Sequence, residues 1–556
     1  MAVAIFPPKR GEIQRLDTPF ALQQDNWNDY SFQTLYHLYH RQQQPGERPT
    51  LIGPVKILRR GQTPADGIQI QQTFDRLGEN FCSVGASLDY YQRLNEIQPA
   101  ERDQILAVLR DVVAAPELQA QFRNERGWTT SLFRDNPNPE EYLSDARAIL
   151  TGNFAALPDL HLQLAFHPAN WARPVSLDFD TPEPLFYSGR RRPLGPSGHE
   201  TLLPRRLIAI IGRNGSGKST LLSRIARVAF AAPSDRATAE IRAIGVFEPP
   251  SVGFTKIIAI SYSAFDNFIV PGLYDSDLQQ IAVDIEKGSG RYIYAGLRDI
   301  VAEVRDDLNA LQQRAMPGNG RALLTAQDRR TTTKLKSLSQ LAEEFERLVE
   351  QIAANGDNAL LDAALEPLFA DPSFADIDSG ERDILLGSNP REAFLAWSTG
   401  HKIALHVVAA LVAHAARKSL ILFDEPEMHL HPPLIAALIH ALRIVLEEKD
   451  AFAVLATHSP VILQETLARQ VRIIRRTGDA FDVLAPSLET FGENVGTLTY
   501  DAFGLTAAST DYHKILDLLV ESFSSLDEIN ALFAPGLSGQ ALAYVLAGLA
   551  RKAQPS

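Results

Sequence analysis

The stretch Gly212-Arg213-Asn214-Gly215-Ser216-Gly217-Lys218-Ser219-Thr220 constrains this chain more than any other. It fits the pattern G-x-x-x-x-G-K-[ST] without a mismatch, between an apolar run, Leu207 to Ile211, and a helix-patterned run, Leu221 to Phe230. Strand, glycine loop and helix in that order make a P-loop. Glycines let the backbone wrap a phosphate with its N–H groups turned inward, and the positive end of the following helix faces the same anion. Gly212, Asn214, Gly215, Ser216, Gly217, Lys218, Ser219 and Thr220 are therefore the expected contacts to ATP. Lys218 is placed at the β- and γ-phosphates and the Ser219 hydroxyl on Mg²⁺. The bland alternative, a chance glycine turn, is disfavoured by the agreement of both flanks.

At 556 residues the chain exceeds one compact core, and roughly two to four structural units are expected. Charged residues at 22% and hydrophobic ones at 45% fit a soluble globular protein. A net charge of -13 argues against a protein that coats nucleic acid with its whole surface, and leaves room for a local basic groove. The single cysteine, Cys82, excludes an internal disulfide framework and a cysteine-based metal site, and fits a reducing, cytoplasmic setting. No apolar run approaches the length of about eighteen residues that spans a bilayer, and Met1 to Arg10 lacks a signal-peptide core, so no membrane association is expected. Ile403 to Ala416, interrupted by His406 and His414, reads as a buried helix.

Residues 1–155 read as a mainly helical N-terminal extension, with Ile105, Val108, Leu109, Val112 and Val113 spaced for one helix face. Residues 156–270 read as the first part of a nucleotide-binding head. Strands are expected at Leu160 to Leu164, Val175 to Phe179 and Lys256 to Tyr262, with Asp266 at the exit of the last, where ligands of open α/β sheets gather. Arg190, Arg191 and Arg192 lie in a loop that is solvated or meets phosphate. Residues 271–395 are helical in pattern and form an insertion with a breaker at Pro317 to Gly320. Its basic cluster, Arg329, Arg330, Lys334 and Lys336, is either a solvated face or a nucleic-acid contact. Residues 396–490 form the second part of the head, and 491–556 a helical C-terminal region.

Ser419 to Pro426 is a buried strand ending in two carboxylates, as in a Walker B strand. Asp424 is the expected holder of the Mg²⁺ water shell, and Glu425 the general base that polarises the attacking water. A further strand, Ala453 to Thr457, ends at His458, which is expected to meet the γ-phosphate or the water.

With these residues in view, Trp397-Ser398-Thr399-Gly400-His401-Lys402 resembles the signature motif of ABC-type ATPases, and Asp424-Glu425-Pro426-Glu427-Met428-His429-Leu430-His431-Pro432 resembles the D-E-P-E-x-H-L-H-P run of the OLD-type, AAA_21-like ATPases. The set is closer in kind to the SMC, Rad50 and OLD branch than to transporters. The resemblance implies an α/β, ABC-type P-loop ATPase head with a helical insertion and added N-terminal and C-terminal helical regions. It implies ATP and Mg²⁺ as cofactors, and two heads paired head to tail. In such a pair Ser398, Gly400 and Lys402 of one subunit close on the γ-phosphate held by the other. No glutamine stands after the Ile257 to Tyr262 strand, where transporters carry one, so Ser263 or Asp266 is expected to substitute.

OLD nucleases carry a metal-binding Toprim domain in the region of the tail, and no D-x-D pair for one is found there. Ser398 to Lys402 and Ser261 to Asp266 further resemble the PtuA-type ATPases of Septu and retron anti-phage systems. That likeness implies slow ATP hydrolysis, a homodimer with room for higher assembly, and an HNH-type nuclease partner docked on the helices of about Asp511 to Lys552. In retrons it also implies DNA made by a reverse transcriptase. A Rad50- or RecF-like repair ATPase and a non-hydrolysing, ATP-locked scaffold are the alternatives.

Overall fold

The computed structural model describes residues 2–7, 16–25, 32–41, 49–95, 97–134, 138–151, 162–179, 203–231, 236, 238–250, 252–272, 275–288, 290–314, 328–374, 389–503 and 511–553. Arg190 to Arg192 and Pro317 to Gly320 lie outside them.

The first unit combines its helices with a sheet, which the helical reading of residues 1–155 did not include. β1 (Val3–Phe6), β2 (Phe20–Gln24), β3 (Leu35–His40), β4 (Thr50–Arg59) and β5 (Phe81–Gly85) pair in that order, parallel between β1 and β2 and antiparallel thereafter. The sheet went unread for a physical reason. A larger core of Phe20, Leu22, Tyr36, Leu38, Val55 and Ile57 covers one face of the sheet, and Leu16, Ala21 and Tyr39 cluster apart from it with Leu51. Strands buried on both faces lose the apolar/polar alternation that marks a strand in sequence. The helix Pro99–Leu109 does bury Ile105, Val108 and Leu109, but it ends at Arg110 in a left-handed cap (φ 53), so Val112 and Val113 follow in a turn. Two buried ion pairs fasten this unit to the rest: Arg93 Nη2 to Asp284 Oδ2 at 2.9 Å, and Arg417 Nε to Asp145 Oδ1 at 3.3 Å.

The head begins with β6 (Gln163–Pro168) and β7 (Val175–Asp178), then β8 (Leu207–Gly212), β9 (Gly245–Glu248), β10 (Ile257–Ser261), β11 (Tyr292–Gly296), β12 (Leu420–Asp424), β13 (Phe452–Thr457), β14 (Val471–Thr477) and β15 (Ala480–Leu484). β6 runs on past the expected stretch to Pro168, and Leu160 and His161 of that stretch lie outside the described residues. A seven-stranded sheet runs β11-β10-β12-β13-β8-β14-β15, parallel throughout except for β15, and β7-β6-β9 form a small antiparallel sheet. Along β8, Leu207, Ala209 and Ile211 enter one core while Ile208 and Ile210 enter the other, so the strand is buried on both sides.

The insertion is not wholly helical, since β11 is an edge strand of this sheet, five consecutive buried residues paired with β10. The helix Thr399–His414 is buried continuously from Ile403 to His414, as its composition implied. At the C-terminus, helices Asp511–Ser522, Leu526–Asn530 and Gly539–Ala553 share a small core of Leu516, Val520, Ile529 and Val545. Lys552 Nζ ties two of them by donating to the carbonyls of Val520, Glu521 and Phe523 at 2.8 to 3.0 Å. Among the described residues no helix is long and apolar enough to cross a membrane.

Candidate functional site

Strand register assembles the site. Ser261 of β10 pairs with Asp424 of β12, Asp424 with Ala456 of β13, and Thr457 with Ile211 of β8. The exits of four adjacent strands, the P-loop among them, therefore open on one edge of the sheet. Gly212 must lack a side chain, because a Cβ there would lie 2.5 Å from the Ile474 carbonyl oxygen and 2.6 Å from Ser216 Oγ. Gly217, at φ 94, caps the helix Lys218–Phe230. Arg213, Asn214 and Gly215 are exposed.

The inward groups of the loop have few or makeshift partners. Lys218 Nζ donates to the carbonyls of Gly212 (2.9 Å) and Arg213 (3.4 Å). Burial lowers its pKa, while Glu425, Asp424 and Glu427 pull it back up. Ser216 Oγ is buried and makes no hydrogen bond among the described residues. Ser219 Oγ donates to Asp424 Oδ1 at 2.9 Å. Burial pushes the Asp424 carboxyl up to about 7, with Glu425 and Asp266 adding to the shift. A buried carboxylate in a negative surround, in contact with the P-loop hydroxyl, is the donor pair that a hard cation beside phosphate requires, so the residues fit Mg²⁺.

Glu425 follows in a left-handed conformation (φ 49), its N–H extending the ladder to the Ala456 carbonyl at 2.8 Å. The half-buried carboxylate is held below the usual range by the neighbouring His458, against the effect of burial. His458 Nδ1 lies 3.7 Å from Glu425 Oε1 and 3.1 Å from Glu427 Oε1. The His458 pKa is raised, by Glu425 and by Glu427, against partial burial and Lys218. The structure thus brings Lys218, Ser219, Asp424, Glu425 and His458 together.

Ser398, Gly400 and Lys402 sit apart. Ser398 caps the helix Thr399–His414, accepting from the His401 N–H at 3.4 Å, and is exposed. A Cβ on Gly400 would meet the His429 carbonyl oxygen at 3.0 Å, and Lys402 Nζ turns back onto the Trp397 carbonyl. These residues face their own helix start and, at Gly400, His429 and Leu430.

At the β10 exit, Asp266 is buried and engaged: Arg298 Nη1 lies 3.1 Å and the Tyr294 hydroxyl 3.2 Å from it. Ser263 Oγ accepts the Phe265 N–H at 3.2 Å. Of the basic cluster, Arg330 pairs with Asp307 and Glu303, Lys334 with Asp306 and Lys336 with Glu344, while Arg329 lies over the Phe268 ring. Most of that charge is already neutralised.

Three site residues escaped the sequence reading. Glu427 was quoted within a motif without a role. Trp171 and Phe481 stack at 4.7 Å and 6°, and a Cβ on Gly217 would approach them at 3.8 and 3.0 Å, so a flat aromatic pair lies against the P-loop. Trp171 follows β6 and Phe481 belongs to β15, and nothing local in the sequence links them.

Residues 285–464 match the family described as AAA domain, putative AbiEii toxin, Type IV TA system, a span that includes Ser398, Asp424, Glu425 and His458. The matched span covers the later part of the head, and the P-loop at residues 212–220 precedes it. It is 29% identical over 511 residues to Protein ea59 of Escherichia phage lambda, covering 91% of this chain and 90% of that protein. It is 31% identical over 75 residues to the Retron Vc95 probable ATPase of Vibrio cholerae serotype O1 biovar El Tor, 14% of each chain. To the Septu protein PtuA of Bacillus thuringiensis it is 24% identical over 176 residues, 28% of this chain and 43% of that one.

Among solved structures, one of an inward-facing putative metal-chelate type ABC transporter aligns at 14% identity over 58% of this chain and 83% of its own, with a TM-score of 0.25. An SmcHead bound to the C-winged helix domain of ScpA aligns at 12% over 60% and 99%, with a TM-score of 0.26. Scores this low leave the fold to the strand order itself.

Proposed function

We propose that this chain is a Mg-ATP hydrolysing subunit that closes with a second copy around ATP and governs a separate nuclease in anti-phage defence. The observation that carries the hydrolytic part is the Ser219–Asp424 hydrogen bond at 2.9 Å, which joins the P-loop to the strand bearing Glu425. With ATP bound, Lys218 exchanges two backbone carbonyls for phosphate oxygens, and Ser216 gains a partner. Ser219 and Asp424 would hold Mg²⁺, which would supply charge neutralisation at the phosphates. Glu425 orients a water for in-line attack on the γ-phosphorus and accepts its proton as ADP leaves. His458 presents its Nε2 edge to the terminal phosphate, and the Trp171–Phe481 pair offers the base a stacking surface.

Pairing is supported by the exposed Ser398 and the partly exposed Gly400 at a helix N-terminus, which suit a phosphate brought by another copy. The defence setting is supported by the likeness to the Septu and retron proteins, and the long match to a phage lambda protein is consistent with a gene carried by mobile elements. A nuclease partner follows from the Septu-type resemblance, with the C-terminal helices as its seat.

Mixing two inactive chains tests the pairing. Lys218→Ala and Ser398→Arg each abolish hydrolysis, and their mixture regains a substantial part of it, because one composite site per heterodimer is intact. A mixture as inactive as its components contradicts the shared site.

A further inference from the structure

Glu427 lies across the end of the neighbouring strand because of the turn at Glu425. With Glu425 at φ 49 and the Met428 N–H closing on the Glu425 carbonyl at 3.0 Å, the chain folds back toward β13. There Glu427 Oε1 accepts from the Thr457 hydroxyl at 2.8 Å and from the His458 backbone N–H at 2.6 Å, and lies 3.1 Å from His458 Nδ1. Its side chain is only 7% exposed, and Oε2 is buried without a hydrogen bond among the described residues. A glutamine would keep the acceptor oxygen for Thr457 and the backbone without burying an under-solvated charge. A clamp alone therefore does not account for a carboxylate here.

The charged groups facing the His458 ring are Glu427, Glu425 and, on the other side of the site, Lys218. Two carboxylates on the Nδ1 side hold a proton on that nitrogen and favour the imidazolium, whose Nε2–H is then the free donor edge.

Resting on the ATP hydrolysis proposed above, we propose that Glu427 is its positioning residue. It fixes the start of the His458 segment through Oε1, and by its charge keeps the Nδ1 side of the ring turned to the carboxylates, so that Nε2 serves the terminal phosphate.

The test uses the full chain with Mg-ATP, comparing wild type, Glu427→Gln, His458→Ala and the double variant, with nucleotide affinity measured by a fluorescent ATP analogue. Glu427→Gln is expected to bind within about threefold of wild type, which also shows that it is folded, and to lose about tenfold or more in kcat. Its alkaline limb moves to lower pH by roughly half a unit or more, because the imidazolium loses one of its anionic neighbours. In the His458→Ala background the same change alters kcat by less than about twofold.

If wild type hydrolyses ATP while Glu427→Gln leaves kcat and the limb in place, or the two losses multiply in the double variant, the inference is wrong and the ATPase reading survives. If wild type hydrolyses no ATP, both fall.

Discussion

Replacing Arg298 with methionine tests the scaffold at the β10 exit. Arg298 is 2% exposed, and its guanidinium reaches Glu303 Oε2 at 2.6 Å, Asp266 Oδ1 at 3.1 Å and the Phe268 carbonyl at 2.9 Å. The two carboxylate side chains are themselves only 1% and 6% exposed. Methionine fills the same volume and strands two buried anions, a loss of about 3–5 kcal/mol in comparable cases. The low end applies here, because Arg330 Nε remains 3.4 Å from Glu303 and the Tyr294 hydroxyl 3.2 Å from Asp266. About 3 kcal/mol corresponds to a local opening constant roughly 150-fold larger. Hydrogen exchange followed by mass spectrometry on peptides spanning β10 and β11 reads that constant directly. Adding Asp266→Asn and Glu303→Gln restores most of the protection. A loss below about fivefold in the single variant would refute the claim that this cation holds the strand exits in place.

Burial holds His406 down to about 4 and His414 to about 3, both well under the unfolded value near 6.5. The unfolded chain then binds more protons than the folded one between about pH 4 and 6.5, so stability falls as pH drops through that window, by up to the order of 3 kcal/mol per residue. Melting temperatures from pH 7 to 5 should decline, less so in His406→Gln; an equal slope in that variant rejects the assignment. Gly400→Val presses a side chain on the His429 carbonyl and is expected to abolish ATP-dependent pairing with nucleotide affinity kept within about threefold, as checked by sedimentation with bound analogue. Truncation after Phe503 removes helices that have their own core, so the remainder should still bind ATP but fail to pull down the nuclease proposed as its partner. Retained nuclease binding would exclude that docking surface.

What the sequence made legible was local. Leu207 to Phe230 announces strand, loop and helix within one continuous stretch, and Leu420 to Glu425 does the same for the second carboxylate strand, because each is a run of contiguous residues with a fixed order. Tyr292 to Gly296 and Thr50 to Arg59 were missed because strands covered on both faces carry no alternation to read. Lys402 belongs to the signature motif by position, yet its ammonium is spent on the Trp397 carbonyl, a contact that only helix geometry reveals. Asp266 was correctly placed at a strand exit, but its partner Arg298 stands just after β11, a strand the pattern had not disclosed. Glu427 and the Trp171–Phe481 pair depend on which strands lie side by side, and strand order is not written in any single segment.

The central claim is that ATP joins two copies at a shared site. Its most direct measurement is the solution mass of Glu425→Gln by light scattering with and without Mg-ATP. This variant keeps Lys218, Ser219 and Asp424, the proposed nucleotide and Mg²⁺ holders, but lacks the proposed base, so ATP should trap the proposed closed form. The account predicts the 61.3 kDa chain without nucleotide and twice that mass with it. A mass that stays at 61.3 kDa while nucleotide is demonstrably bound contradicts it.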